Sequence, residues 1–333
     1  MEILVTIPCG VVKDTFIPKW VENKINNLGN VTWNTQEYQY SKEQLMEAVR
    51  NKDICITGWQ TPKFDRDVLN CADRLKMIAH TGGTVGPIVD DDAYERGIRI
   101  ISGNNVYAES VAEGVLAYIM SSLRNIPGYN KRMHEGFWCE EGEYTYGIFD
   151  KTIGLVGFGA TTKYLLTFLK PFHVKIKVFS EHLSLEDAAQ FGVEKCGLNE
   201  IFSSCDIISL HSAMRADTYH MITDKLLSMI KPGALFVNTA RGKLVDEHKL
   251  CKQLKTKRFN AVIDVYEQEP LPEDSELRKL DNVILIPHMA GPTVDRRQYV
   301  TNALIEDIIS FSSGGALKNE IVKSYSKVMT QTL

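Results

Sequence analysis

Three apolar runs in the last third of the chain each end in a side chain able to move a proton or hold an anion. Phe236-Val-Asn238-Thr-Ala240-Arg241-Gly242 ends in a guanidinium, Ala261-Val-Ile-Asp264-Val-Tyr-Glu-Gln-Glu269-Pro270 in two carboxylates, and Val283-Ile-Leu-Ile-Pro287-His288-Met-Ala-Gly291 in an imidazole. An arginine directly after a buried strand presents a planar fork of donors that suits a carboxylate, and a surface salt bridge would use the same position. A carboxylate beside an imidazole favours the charged ring, which then serves as an acid near neutral pH. With a nicotinamide opposite, His288 would protonate a ketone oxygen as hydride reaches the carbon, and remove that proton in reverse. Arg241 would hold the substrate carboxylate and polarise the carbonyl. Arg241, Glu269 and His288 therefore form the expected catalytic set.

A nicotinamide needs a dinucleotide cradle, and Thr152-Ile-Gly-Leu-Val-Gly157-Phe-Gly159-Ala160-Thr161-Thr162 offers one. Its apolar run reads as a buried strand, with a helix starting after Gly159 and presenting free backbone N–H groups to a diphosphate. Thr162 stands where the third glycine of the pattern is expected, and the bland reading of the stretch is an ordinary strand-turn-helix corner. Cys205-Asp-Ile-Ile-Ser-Leu-His211-Ser212 is a further strand, ending in polar residues where a cofactor would lie or where a histidine satisfies nearby backbone.

The elements that must position these residues follow an alternating pattern. Strands are expected at 3–8, 31–33, 53–57, 75–80 and 98–102, with helices such as 18–28 and 41–49 between them, the second opened by Ser41 with Glu43 and Gln44 behind it. A wide apolar face predicts a helix over 108–126, carried by Val111, Val115, Leu116, Ile119, Leu123 and Ile126, and 136–150 reads as an acidic solvated loop. From Lys151 strands are expected at 152–156, 174–179, 206–210, 234–238, 259–264 and 283–286, with helices near 160–170, 185–191, 223–229 and 246–255. Strand alternating with helix means α/β architecture with parallel sheets. A last helix, 293–311, repeats Val300, Leu304, Ile308 and Phe311. It comes too late to belong simply to the last strand, so the chain is expected to cross between two domains near 103–108 and 291–296, with a cleft between them.

Composition narrows the partners. The 333 residues, 44% hydrophobic, suffice for two cores, and a net charge of -4 gives no basic excess for nucleic acid or an anionic membrane. Seven cysteines without a CxxC pair read as reduced thiols, and neither a signal peptide nor a spanning apolar run is visible, so the cytoplasm is the expected compartment. Asp90, Asp91 and Asp92 read as charges at a helix start rather than metal ligands, and no metal site is expected.

Taken together, Gly157-Phe-Gly159, Val237-Asn-Thr-Ala-Arg241-Gly, Asp264-Val-Tyr-Glu-Gln-Glu269-Pro and Pro287-His288-Met-Ala-Gly291 make the chain resemble the D-isomer-specific 2-hydroxyacid dehydrogenase family over nearly its whole length. The resemblance implies two Rossmann-like domains: a discontinuous flavodoxin-like substrate domain (1–104 and 292–333) and a Rossmann NAD(P)-binding domain (105–291). It implies that Arg241 binds substrate, Glu269 pairs with the histidine and His288 is the acid/base. Its cofactor-facing set falls on Gly157, Gly159, Ala160, Thr161, Ser180, Glu181, His211, Ser212, Thr218, Ala240, Asp264, Gly291 and Ser110, with Asp264 at the nicotinamide amide. Gly82, Gly83 and Thr84 would offer backbone N–H groups to the substrate carboxylate, with Trp59 lining the pocket or packing at a domain edge.

In NAD-dependent relatives an aspartate usually stands at the position of Ser180, where it bonds the ribose 2′-hydroxyl, and a one-residue shift gives Glu181 that task. If Ser180 is the equivalent, NADP is admitted, with His182 as the phosphate partner; no arginine follows, so NAD is expected. The resemblance implies a homodimer acting on a small 2-keto or 2-hydroxy acid, with reduction of the keto acid as the leading direction. The alternative is an NAD(H)-sensing, corepressor-like binding protein of the same fold.

Overall fold

The computed structural model describes residues 1–331. The chain divides into two compact units, one made of Met1–Ala108 with the chain from Pro292 onward, the other of Glu109–Gly291.

The first unit is built on five parallel strands, β1 (Glu2–Val5), β2 (Asn30–Trp33), β3 (Ile54–Thr57), β4 (Met77–His80) and β5 (Arg99–Ser102), in the order β2-β1-β3-β4-β5. This is the flavodoxin-like order. Strands β3 and β4 are buried along their whole length, as an apolar run covered on both faces requires. The helix Val294–Ser312 lays Val300, Leu304 and Ile308 on one face of this sheet, beside Ile3, Val5 and Ile54. Ser41 caps the helix Lys42–Ala48: its side chain accepts from the Gln44 N–H while the Gln44 side chain accepts from the Ser41 N–H. The helix Val11–Phe16 was not expected, because six residues do not complete two turns of periodic pattern.

The second unit holds seven parallel strands: β6 (Thr152–Val156), β7 (Lys175–Phe179), β8 (Glu194–Lys195), β9 (Ile207–Leu210), β10 (Leu235–Asn238), β11 (Asn260–Ile263) and β12 (Val283–Leu285). Their order, β12-β11-β10-β9-β6-β7-β8, reverses direction at β6. Such a reversal opens a crevice beyond the strand ends, beside the turn that follows β6. Ile201, Phe202, Ile208 and Phe236 fill one face of the sheet, and Val115, Ile119, Leu155 and Leu165 the other.

Two expectations need correction here. The helix expected over 108–126 runs Asn104–Leu123 and stops short of Ile126, because Asn125 adopts a left-handed backbone, φ +48°, and a second helix begins at Ile126–His134. Ile126 is accordingly 56% exposed rather than on the buried stripe of Val115 and Ile119. Strand β8 was missed because its two residues, Glu and Lys, carry no apolar signal. All seven cysteines are free thiols. Among the described residues no helix is long and apolar enough to cross a membrane.

Candidate active site

The loop after β10 is folded by its own side chains. Asn238 accepts the Ala240 N–H through Oδ1 (3.1 Å) and donates through Nδ2 to the Arg241 carbonyl (3.1 Å), which bends the chain directly at the strand end. Gly242 then passes so close to the loop after β11 that a Cβ there would lie 1.9 Å from the Tyr266 carbonyl carbon. Only glycine permits this approach, and it brings Arg241 beside the segment that carries Glu269. The Arg241 guanidinium donates through Nη1 to the Ala240 carbonyl (2.6 Å) and forms no ion pair among the described residues. Burial pushes its pKa down while the charge of Glu269 opposes that shift. It is a covered cation with donors left for an incoming anion.

Glu269 has both oxygens assigned. Oε1 accepts the Tyr266 N–H (3.0 Å), and Oε2 lies 2.7 Å from Nδ1 of His288. The Tyr266 hydroxyl bonds the carbonyls of Ile263 (3.0 Å) and Ile286 (2.9 Å), so it spans the ends of β11 and β12. This tyrosine was not among the expected site residues, because its partners are backbone groups that leave no mark in a sequence. His288 itself sits at φ +53°, an uncommon backbone for a residue with a Cβ.

Asp264 holds that backbone in place. Its Oδ1 accepts from the Met289 N–H (2.7 Å) and its Oδ2 from the Ala290 N–H (3.1 Å), and the residue is fully buried. Burial pushes its carboxyl up, and the two N–H donors pull it back. Asp264 thus clamps the loop that carries His288 and ends at Gly291. Gly114 lets the helix Asn104–Leu123 press on the same loop: a Cβ there would be 3.2 Å from the Ala290 carbonyl oxygen.

The cradle residues are arranged around the turn after β6. Gly157 has φ +112°, and a Cβ on it would lie 2.7 Å from the backbone of His211 and Ser212, so the turn and the end of β9 touch backbone to backbone. Gly159 caps the helix Ala160–Leu169 without a side chain, and a Cβ there would meet open space. The first helical N–H groups, from Ala160 and Thr161, therefore face outward uncapped by any side chain. Thr162, at the position of the third glycine, is fully buried and its hydroxyl bonds the Gly157 carbonyl (2.9 Å). Ser212 donates to the Val156 carbonyl (3.2 Å). His211 has its pKa pushed down to about 4 by burial and stays neutral. Its Nε2 and the Ser110 Oγ are buried without a partner among the described residues, which fits groups awaiting a ligand. The Thr218 hydroxyl is engaged inside its own loop, with the Ala213 carbonyl (2.8 Å) and the Arg215 backbone, so it orders that loop. Ser180 is buried and accepts the His182 N–H (3.2 Å), which leaves Glu181 and His182 exposed at the end of β7.

In the first unit, Gly82 follows β4 where a Cβ would lie 2.2 Å from His80 Nε2, so this turn too requires glycine. The Thr84 hydroxyl donates to the Thr330 carbonyl (2.9 Å), and the Gly83 carbonyl accepts from Ser102 Oγ (3.0 Å). The N–H groups of 82–84 find no acceptor among the described residues. Trp59 is 45% exposed, its ring edge-on to Phe16 with centroids 5.2 Å apart and 5.5 Å from the Arg297 guanidinium.

Comparison with known proteins bears on this arrangement. Residues 116–290 match the family described as D-isomer specific 2-hydroxyacid dehydrogenase, NAD binding domain. The glyoxylate reductase of Thermococcus litoralis is 33% identical over 84% of this chain and 86% of its own length. The D-3-phosphoglycerate dehydrogenase of Methanocaldococcus jannaschii is 31% identical over 84% of this chain and 54% of its own length. Among solved structures, an acyclic imino acid reductase in complex with NADPH and D-Arg superposes with a TM-score of 0.81 at 27% identity, covering 96% of this chain and all of that one. The chain therefore belongs to the D-isomer-specific 2-hydroxyacid dehydrogenase family, as an NAD(P)-dependent oxidoreductase whose dinucleotide-binding domain contains the cradle and the paired Glu269 and His288.

Proposed function

We propose that the protein reduces a small 2-keto acid to the D-2-hydroxy acid, with His288 as acid/base, Glu269 holding its ring and Arg241 taking the substrate carboxylate. The observation that carries this reading is the 2.7 Å contact between Glu269 and His288 Nδ1, set beside a half-buried guanidinium that has no carboxylate partner among the described residues. When bound, the nicotinamide supplies or accepts the hydride at the substrate carbon. His288 gives the proton to the carbonyl oxygen from Nε2, the nitrogen left free, while the Nδ1 proton stays on the ring, hydrogen-bonded to Glu269. Arg241 draws electron density toward the oxygen that will carry negative charge. The unit containing the Gly82–Thr84 turn is the candidate substrate domain, and NAD is the preferred dinucleotide, with Glu181 toward its ribose.

Similarity to glyoxylate reductases makes glyoxylate and its short homologues the first substrates to try. The test follows NADH absorbance with a panel of 2-keto acids, for wild type and His288→Ala. Turnover of at least one acid, abolished in the variant, is expected. No absorbance loss with any acid would favour a dinucleotide-sensing binder instead. A homodimer belongs to the same reading, supported by the exposed Phe137, Trp138, Tyr144 and Tyr146 that follow the helix Ile126–His134. Light scattering that returns the mass of a single chain would remove it.

A further inference from the structure

Strands β7 and β9 lie on either side of β6, so the loops 180–182 and 211–218 flank the Gly157–Gly159 turn. The second loop carries an arginine, Arg215, whereas none follows directly after β7. Arg215 is placed firmly: its backbone N–H donates to Thr218 Oγ1 (2.8 Å), and its side chain is 20% exposed. The guanidinium grips Asp217 with two bonds, Nε to Oδ1 at 2.9 Å and Nη2 to Oδ2 at 2.7 Å. The two loops also sense each other. Asp217, with Glu181 adding to it, holds the Arg215 guanidinium above its ordinary pKa, and the Asp217 carboxyl is held low by Arg215 first and by His182 last.

A ribose with a free 2′-hydroxyl needs one acceptor here, and Glu181 is exposed and carries the charge for it. A 2′-phosphate needs a guanidinium edge with two parallel donors. In this chain Asp217 already occupies that edge. Resting on the cofactor reading above, we propose that Asp217 sets the dinucleotide preference: it locks Arg215 into an internal pair, so that the end of β7 receives an unphosphorylated ribose. Removing the carboxylate turns Arg215 into a phosphate reader.

The test titrates NADH and NADPH by nicotinamide fluorescence, at one ionic strength, into wild type, Asp217→Asn and the double variant Asp217→Asn/Arg215→Ala. Asp217 is 60% exposed at its side chain, so all three proteins are expected to fold, which thermal melts check. Wild type is expected to bind NADH more tightly. Asp217→Asn should lower the ratio of Kd for NADPH to Kd for NADH by about tenfold or more, the equivalent of one charge-assisted bond gained, and Arg215→Ala on top of it should cancel the gain. A ratio within about twofold of wild type in Asp217→Asn, a gain that survives loss of Arg215, or a wild type that already prefers NADPH overturns the proposal. A wild type that binds neither dinucleotide overturns the cofactor reading, and this proposal with it.

Discussion

At the scale of single residues, the imidazole is the group with the most constraints on it. One ring nitrogen faces Glu269 at 2.7 Å, and the backbone beneath sits at φ +53°, a conformation that costs about 1–3 kcal/mol and persists only when its surroundings enforce it. Asp264 enforces it through the Met289 and Ala290 N–H groups. Three consequences can be measured. His288→Ala should lower kcat by about 10²–10⁴-fold, the usual contribution of a positioned acid/base. Glu269→Gln keeps the shape but weakens a charged hydrogen bond of about 1.5–3 kcal/mol, so steady-state kinetics should give roughly a 10–100-fold loss in kcat with KM little changed. Asp264→Asn keeps one acceptor oxygen and turns an NH2 group toward the other of the two N–H donors, and chemical denaturation should register a loss of about 1–3 kcal/mol. A His288→Ala enzyme with full kcat would remove the imidazole from the chemistry.

At the scale of elements, the site exists because three strand ends are sewn together. Gly242 lets the loop after β10 touch the loop after β11 at Tyr266, and the Tyr266 hydroxyl ties β11 to β12. Gly242→Ala must push two backbones apart, and a loss of about 1–3 kcal/mol is expected, with kcat/KM falling as Arg241 moves away from Glu269. Tyr266→Phe removes the hydroxyl shared by the Ile263 and Ile286 carbonyls, which keep only the N–H groups of Ile286 and His288; if thermal melts show no loss, the hydroxyl does not bridge the strands. These ties also separate what a sequence displays from what it conceals. The β10, β11 and β12 runs are visible because an interior parallel strand must be apolar throughout, and the polar residue that ends each run marks its sheet edge. The Ser41 capping box is visible because both partners lie within three residues. Tyr266 is not, because its contacts are main-chain oxygens, one of them 20 residues away. Strand β8 and the helix Val11–Phe16 fall below the length at which a period can be counted. Arg215 is not legible as a neighbour of the β7 end, because β7 and β9 are far apart in sequence and are brought to the two sides of β6 only by the strand order.

At the scale of the whole molecule, each unit carries one covered neutral imidazole, buried His80 and half-buried His211, and together they make stability depend on mild acid. His80, 4% exposed, has Nδ1 3.0 Å from the Thr57 hydroxyl, and burial pushes its pKa down to about 4. Burial does the same to His211 in the other unit, again to about 4. An unfolded histidine titrates near 6.5, so between about pH 6.5 and 4 the unfolded chain binds protons that the folded chain refuses. The stabilisation is therefore complete above pH 6.5, falls as pH drops through the unfolded value, and is gone once pH passes the folded one. The full span for each residue is about 3 kcal/mol, at about 1.4 kcal/mol per pH unit for one proton. Carboxylates held low by their partners, such as Asp206 beside Lys231, lose their share only at lower pH, whereas Asp264 and Glu247, pushed up by burial, act in the opposite sense, so the two imidazoles are read from the difference between variant and wild type. Urea unfolding between pH 7 and 5 should show the two imidazoles pulling stability down toward pH 5, with a slope of up to about one proton each. His80→Gln and His211→Asn should each remove about one proton from that slope, whatever they cost at pH 7, and because the two residues belong to separate units the reductions should add. Slopes unchanged in both variants would mean that these rings already titrate in the folded protein as they do in water, and burial would then not be what keeps them neutral.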